Sequence, residues 1–172
     1  MSEPAFPRRV EGLAGESWVS EQERDFLYSL VKSCDWLLEV GSASGVTAAE
    51  IAIARPDVGV VCVDPYFYSI ERRADWFKNR RSNMSLFTGT LAQALISLPK
   101  RRYGLAFIDG GHLRHECFED LILANLVTDR IAVHDYGDPN NAGVKCAVDQ
   151  FCTLFKRQIV NQVGSIVVLE PF

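Results

Sequence analysis

At 172 residues, 48% of them hydrophobic, the chain has the length and apolar content for one domain with a full core, and too little for a second. Its formal charge of -4 and pI near 5.4 argue against a general nucleic-acid or membrane-binding surface. No apolar run reaches the roughly 18 residues that span a bilayer, and Met1-Ser2-Glu3-Pro4 lacks the basic and apolar blocks of a secretory signal, so a cytoplasmic protein is expected.

Residues 1–19 hold Pro4, Pro7, Gly12 and Gly15 without periodicity and read as an N-terminal arm, ahead of one domain over 20–172. Ser20-Glu21-Gln22-Glu23 is a Ser-x-x-Glu capping box, and Phe26, Leu27, Leu30 and Val31 follow at helical spacing, which predicts a helix from Glu21 to Ser33. The first strand spans Trp36 to Val40, and its helix runs from Thr47 to Ala54, closed by Arg55-Pro56-Asp57. Val58 to Val63 is the second strand, Ile70 to Arg81 a polar and basic helix, Met84 to Phe87 the third strand and Leu91 to Leu98 a helix ended by Pro99. Leu105 to Asp109 is the fourth strand, Glu116 to Val127 an amphipathic helix and Arg130 to His134 the fifth strand. After Asn140-Asn141-Ala142-Gly143 a helix reaches Phe155, and two extended runs, Gln158 to Val163 and Ser165 to Leu169, meet at Gly164. Five β/α alternations imply a mainly parallel sheet covered on both faces, closed by an antiparallel hairpin, in a doubly wound α/β domain. The five scattered cysteines, Cys34, Cys62, Cys117, Cys146 and Cys152, form no C-x-x-C pair and read as reduced, mostly buried thiols.

The first strand stops at Gly41-Ser42-Ala43-Ser44-Gly45, a helix follows, and the second strand ends in the carboxylate of Asp64. Glycines let a backbone approach a ligand closely, a helix start offers free N–H groups, and an acid at the end of the next strand can accept both hydrogens of a ribose diol. A Gly-x-x-x-Gly alone is a weak signal. Its placement carries the weight, because Asp64 lies 23 residues beyond Gly41, the interval that one helix and one strand occupy. In doubly wound sheets the order reverses beside the first strand, which makes the fourth strand its neighbour. Asp109 and Gly110-Gly111-His112 then face Gly41 to Gly45 across a crevice, with His134-Asp135-Tyr136 one strand further on. The three histidines, His112, His115 and His134, all fall in this region.

The set Leu-Leu-Glu-Val-Gly-Ser-x-x-Gly-Val-Thr-Ala, Val-Asp-Pro-Tyr, Phe-Ile-Asp-Gly-Gly-His and Val-His-Asp-Tyr-Gly, followed by Gly-Val-Lys-x-Ala-Val-Asp-x-Phe, resembles the class I S-adenosylmethionine (SAM)-dependent methyltransferases. Among these it is similar to methyltransferase family 24, related to catechol and macrolide-sugar O-methyltransferases, from about Trp36 to Glu170. The resemblance implies a Rossmann-like, mostly parallel seven-stranded sheet in the order 3-2-1-4-5-7-6. It implies that Glu39, Gly41 and Gly45 hold the methionine part of SAM and Asp64 its ribose. Gly89, Thr90 and Leu91 would lie near the adenine, and Ser42 and Asp109 are further cofactor contacts. Metal-dependent relatives would make Asp109 and Asp135 magnesium ligands and His112 a general base. The chain departs from the pattern at three positions. Ala43 replaces a middle glycine, Gly111 stands where many relatives carry Asp, and His134 stands where the sugar methyltransferases carry another acid. A site with fewer oxygen ligands and His134 beside them suits manganese, iron or zinc better than magnesium.

Each residue also has a purely structural alternative. Asp64 is also a turn former before Pro65, Asp109 and His112 can satisfy main chain, and His134 can be a buried structural imidazole. His115 and Glu119 at i, i+4 read as a solvated face; Arg72, Arg73, Lys78, Arg80 and Arg81 around Trp76 and Phe77 read as a solvated face with an aromatic anchor in preference to a grip on an anionic substrate or a nucleic-acid strand, and Lys100-Arg101-Arg102 reads as a surface turn. Tyr66, Phe67 and Tyr68 either line an adenosine pocket or pack at the edge. The expected function is O-methylation of a small hydroxylated metabolite, with a non-catalytic SAM-binding module as the alternative. A nicotinamide-dependent oxidoreductase ranks lower, since Gly-x-Gly-x-x-Gly is missing and no length remains for a substrate domain. Substrate selection would fall to the arm, the segment from Pro65 to Ser82 and the loop from Tyr136 to Ala142, and a homodimer that completes the pocket is a further expectation.

Overall fold

The computed structural model describes residues 10–65 and 70–172. The Ser20 capping box forms as expected, with the Ser20 hydroxyl accepting from the Glu23 N–H and the Glu23 side chain accepting from the Ser20 N–H, and starts helix α1 (Glu21–Val31). There follow β1 (Trp36–Val40), α2 (Val46–Ala54), β2 (Gly59–Asp64), α3 (Ile70–Asn79), β3 (Met84–Thr88), α4 (Leu91–Ser97), β4 (Leu105–Ile108), α5 (Arg114–Ala124), β5 (Ile131–Val133), α6 (Ala142–Phe155), β6 (Arg157–Val163) and β7 (Ile166–Pro171). A 3-10 turn at Pro139–Asn141 leads into α6.

The seven strands form one sheet in the order β3-β2-β1-β4-β5-β7-β6. β1 pairs in parallel with both β2 and β4, and only the β7 pairings are antiparallel. Because side chains alternate along a strand, Leu37 packs into one apolar layer and Leu38 and Val40 into the other. Both faces of the sheet are thereby buried, and the open ends of the parallel strands are left for function.

Several boundaries differ from the sequence reading for local reasons. α5 begins at Arg114, two residues before Glu116, because Glu116 at N3 reaches back and its carboxylate accepts from the N–H of the N-cap residue Leu113. It ends at Ala124, where the chain turns and the Val127 N–H donates to the Ala124 carbonyl. β5 stops at Val133 and not at His134, because Asp135 adopts a left-handed φ of 62° that breaks the extended backbone. β2 starts at Gly59 and not at Val58, since the Val58 N–H closes a turn on the Arg55 carbonyl. β4 ends one residue before Asp109, and β6 starts one residue earlier than expected, at Arg157.

Of the N-terminal arm, residues 10–19 are described and are fixed by side chains of the domain. Ala14 exchanges two hydrogen bonds with the amide of buried Asn79, which also donates to the carbonyl of Ser44. Residues 1–9 and Tyr66, Phe67 and Tyr68 lie outside the described residues. Cys34, Cys62 and Cys117 are buried free thiols, while Cys146 is exposed and Cys152 half-buried. Among the described residues no helix is long and apolar enough to cross a membrane.

Candidate active site

β1 delivers the chain into the loop at Gly41, whose φ of 90° and surroundings admit no side chain. A Cβ there would lie 2.1 Å from the carbonyl oxygen of Asp109 and 2.5 Å from Gly110 Cα, so the two strand-end loops touch backbone to backbone. Gly45 (φ 73°) is closed in the same way by the Trp76 ring. Between them Ala43, itself at φ 44°, donates its N–H to Asp64 Oδ2 at 2.7 Å. The acid at the end of β2 and the loop after β1 are thus locked together. Glu39 is buried, with Oε2 lacking any hydrogen-bond partner, and burial pushes its carboxyl up to about 8 against the opposing pull of Ser42.

β4 and β5 carry the second half of the site. His134 Nδ1 stands 3.0 Å from Asp109 Oδ1 and 3.3 Å from Asp135 Oδ1, and His112 Nε2 stands 2.9 Å from Asp135 Oδ2. Asp135 therefore bridges the two imidazoles. Burial lowers the pKa of His134, but the flanking carboxylates outweigh it and hold that ring at about 10. Burial raises Asp109 despite His134 beside it, whereas contact with His134 lowers Asp135. Behind His134, Nε2 faces Glu23 Oε2 at 3.8 Å. Burial pushes the Glu23 carboxyl up, yet hydrogen bonds from Ser20 and Ser165 bring it down to about 2.

One cleft of about 950 Å³ joins these halves. Of the residues expected in a site, Gly41, Asp64, Thr90, Leu91, Asp109, His112, His134 and Asp135 line it. Glu39, Ser42, Gly45 and Gly89 do not. Glu39 and Ser42 are buried, and Gly45 is backed by Trp76, so these residues shape the loop from behind. Trp18 of the arm and Asp138 and Asn140 of the Tyr136–Ala142 loop line it from segments expected to select substrate, and the cleft also recruits two residues that the sequence reading did not place there, Glu116 and Asp120 of α5. Glu119, read as part of a solvated face, and Arg72, read likewise, are also lining residues. Asp120 lies against Gly110, and burial together with Glu119 and Glu116 raises its carboxyl to about 7. A stronger expectation for Glu116 and Asp120 was available in their i, i+4 spacing just after the Gly-Gly-His loop.

The group Asp109, His134 and Asp135 offers one nitrogen and two carboxylate oxygens within 4.8 Å of one another. Nδ1 of His134 is buried and makes no hydrogen bond of good geometry, although two carboxylates stand beside it. Cis donors on an octahedral ion with bonds of about 2.1 Å are roughly 3.0 Å apart, so this nitrogen and its neighbours fit a divalent cation that displaces the proton the two carboxylates favour on His134. A mixed nitrogen and oxygen set favours manganese, iron or zinc over magnesium.

A seven-stranded sheet in this order, with a glycine loop after the first strand and an acid at the end of the second, is the fold of the class I SAM-dependent methyltransferases. Methyltransferase family 24, described as a methyltransferase domain, matches residues 38–136, more than half of the sequence, and the chain belongs to that family. Among solved structures, a Klebsiella pneumoniae protein provisionally assigned as an O-methyltransferase superposes with a TM-score of 0.71 at 17% identity, over 93% of this chain and 84% of that one. An O-methyltransferase from Bacillus cereus in complex with S-adenosylhomocysteine (SAH) gives 0.66 at 16% identity, over 96% and 84%. The O-methyltransferase TomG from Streptomyces achromogenes, in complex with SAM, gives 0.65 at 14%, over 95% and 84%. At these identities the likeness speaks for the fold. No curated protein matches the chain in sequence.

Proposed function

We propose that the chain transfers the methyl group of SAM to a hydroxyl of a small acceptor. The observation that supports this reading is the division of one cleft into a nucleoside-type half at Gly41, Ala43 and Asp64 and a proton-handling half at His112, Asp135 and His134. The strands that end in Asp64 and beside His134 are three spacings apart, about 14 Å, which is room for a nucleoside at one end and an acceptor at the other.

When bound, SAM supplies an electrophilic methyl group, and a divalent cation on Asp109, His134 and Asp135 would lower the pKa of an acceptor hydroxyl. The chain's own part is positioning and proton transfer. Asp64 accepts from the ribose diol while Ala43 holds its carboxylate in place. His112 turns Nε2 to Asp135, so Nδ1 is the nitrogen that takes the acceptor proton. The acceptor is a small molecule and not a nucleic acid, since Glu116, Glu119, Asp120 and Asp138 along the cleft repel phosphates and Arg72 is the one arginine or lysine among the described lining residues.

The test is conversion of SAM to SAH, followed by mass spectrometry over phenolic and sugar acceptors, with and without chelator. The expected result is acceptor-dependent SAH and a product heavier by one methyl group. SAH production at the acceptor-free background with every acceptor would leave a SAM-binding module without turnover.

A further inference from the structure

Glu23 closes the capping box of α1, a task that a glutamine performs equally well, as Gln93 does for Thr90 at the start of α4. Yet Glu23 makes further contacts, 142 residues away in sequence. Its Oε1 accepts from both the N–H (2.6 Å) and the hydroxyl (2.8 Å) of Ser165, in the β6–β7 turn. Its Oε2 accepts from the Ser20 N–H (2.9 Å) and hydroxyl (2.6 Å) and faces His134 Nε2. Gly164 presses the turn onto the carboxylate, where a Cβ would lie 2.5 Å from Glu23 Oε1.

Ser165 then reaches the site directly. Its hydroxyl accepts from the Asp135 N–H at 3.2 Å, and its carbonyl accepts from the Tyr136 N–H at 2.9 Å. The sense of this chain is fixed, because an amide N–H only donates and a carboxylate only accepts: Asp135 N–H to Ser165 O–H to Glu23. Asp135 benefits from such support. It is a non-glycine residue at φ 62°, a left-handed conformation that Asp adopts more readily than most residues and that the hydrogen bonds to Ser165 help to hold.

We propose that Glu23 is a positioning residue for the reacting end of the cleft: through Ser165 it sets the backbone of Asp135, and from behind it orients the His134 ring. This rests on the reading of His112, Asp135 and His134 as the proton-handling half. A glutamine at position 23 keeps one oxygen for the cap but presents an amide N–H₂ to donors, so it breaks the link to Ser165 or the cap and cannot satisfy both.

The experiment compares Glu23→Gln and Ser165→Ala with the wild type by ¹H–¹⁵N NMR, SAH calorimetry and steady-state kinetics. Ser165→Ala removes only a hydroxyl and remains informative if Glu23→Gln does not fold. Both variants are expected to bind SAH within twofold of the wild type. The Asp135 amide and the His112 and His134 side-chain resonances shift, while those of residues 41–45 stay in place. With an accepted substrate, kcat falls about tenfold or more at unchanged KM for SAM, the size of effect seen when a group that orients a site ligand is lost. Side-chain resonances of His112 and His134 unchanged in both variants would overturn the proposal. A wild type without turnover for any acceptor would overturn the proposed function instead, and the resonances would still decide the role of Glu23.

Discussion

The N–H of Ala43 donates to Asp64 Oδ2 at 2.7 Å, joining the loop after β1 to the last residue of β2. Replacing Asp64 therefore acts on two levels: it releases the loop that presents Gly41 and, on the proposed function, removes the ribose acceptor. Asp64→Asn can still accept from Ala43 through its amide oxygen but offers a donor where the ribose needs an acceptor, so it isolates the second effect. Losing a charged acceptor costs about 1.5–3 kcal/mol, or roughly ten- to a hundredfold in affinity. Calorimetry with SAH is expected to show that loss for Asp64→Asn at near wild-type stability, and a larger loss for Asp64→Ala. Equal affinities for wild type and Asp64→Asn would remove the ribose role.

Gly41→Ala is expected to damage the fold before it damages binding. A glycine here lets the backbone approach a ligand closely, so a side chain would meet that ligand, but the structure already places the Asp109 carbonyl in its path at 2.1 Å, in addition to the left-handed backbone. Strain of this kind costs about 1–3 kcal/mol, and the backbone contact adds to it. A loss of about 3 kcal/mol corresponds to a melting temperature lower by roughly 6–12 °C in a chain of this length. Differential scanning calorimetry of the variant without ligand checks this. An unshifted melting temperature with lost SAH binding would restore the collision with ligand as the cause.

Glu39 gives a pH dependence with a definite sign. Burial raises its pKa from 4.5 to about 8 in the folded protein, so the folded state holds a proton that the unfolded state has released between those values. Stability is unaffected below about pH 4.5, declines as pH rises toward 8 and carries the full cost above it. That cost is on the order of 5 kcal/mol. Glu39→Gln, which cannot ionise, should therefore match the wild type near pH 4 and exceed it increasingly from pH 5 to 8 in urea titrations. SAH affinity unchanged by the substitution would confine Glu39 to supporting the loop, consistent with its place outside the cleft lining.

The strands and the ligand-side loops were legible because both depend on local rules, whereas the full strand order was implied only by the resemblance to class I methyltransferases. The apolar runs, the Ser20 capping box and the interval from Gly41 to Asp64 each follow from period, cap or βαβ geometry. What stayed hidden depends on distant parts of the chain meeting. Glu23 looked complete as a cap, and nothing near it in sequence announces Ser165. Trp18 reaches the cleft from an arm whose anchor, Asn79, is 65 residues from Ala14. The left-handed Asp135 was also unreadable, because Asp tolerates that conformation without requiring it and its partner Ser165 lies 30 residues away.

The division of labour among His112, Asp109 and Asp135 can be separated by substitution. His112 is half exposed and lines the cleft at the Asp135 end, away from Asp64, so His112→Ala should leave SAH affinity intact while kcat falls by about 10² to 10⁴, the usual worth of a positioned base. Asp109 and Asp135 supply two of the three donors, His134 Nδ1 being the third, and a site left with one carboxylate has too few to retain a cation. Asp109→Asn and Asp135→Asn should therefore lose manganese binding, measured directly by electron paramagnetic resonance of the free ion without any turnover. Activity that survives in excess chelator would take the metal out of the reaction and leave His112 as its base. Undiminished turnover in His112→Ala would take out the base. If manganese still bound to both carboxylate variants, its site would lie elsewhere on the protein, and the orphaned His134 nitrogen would need another ligand.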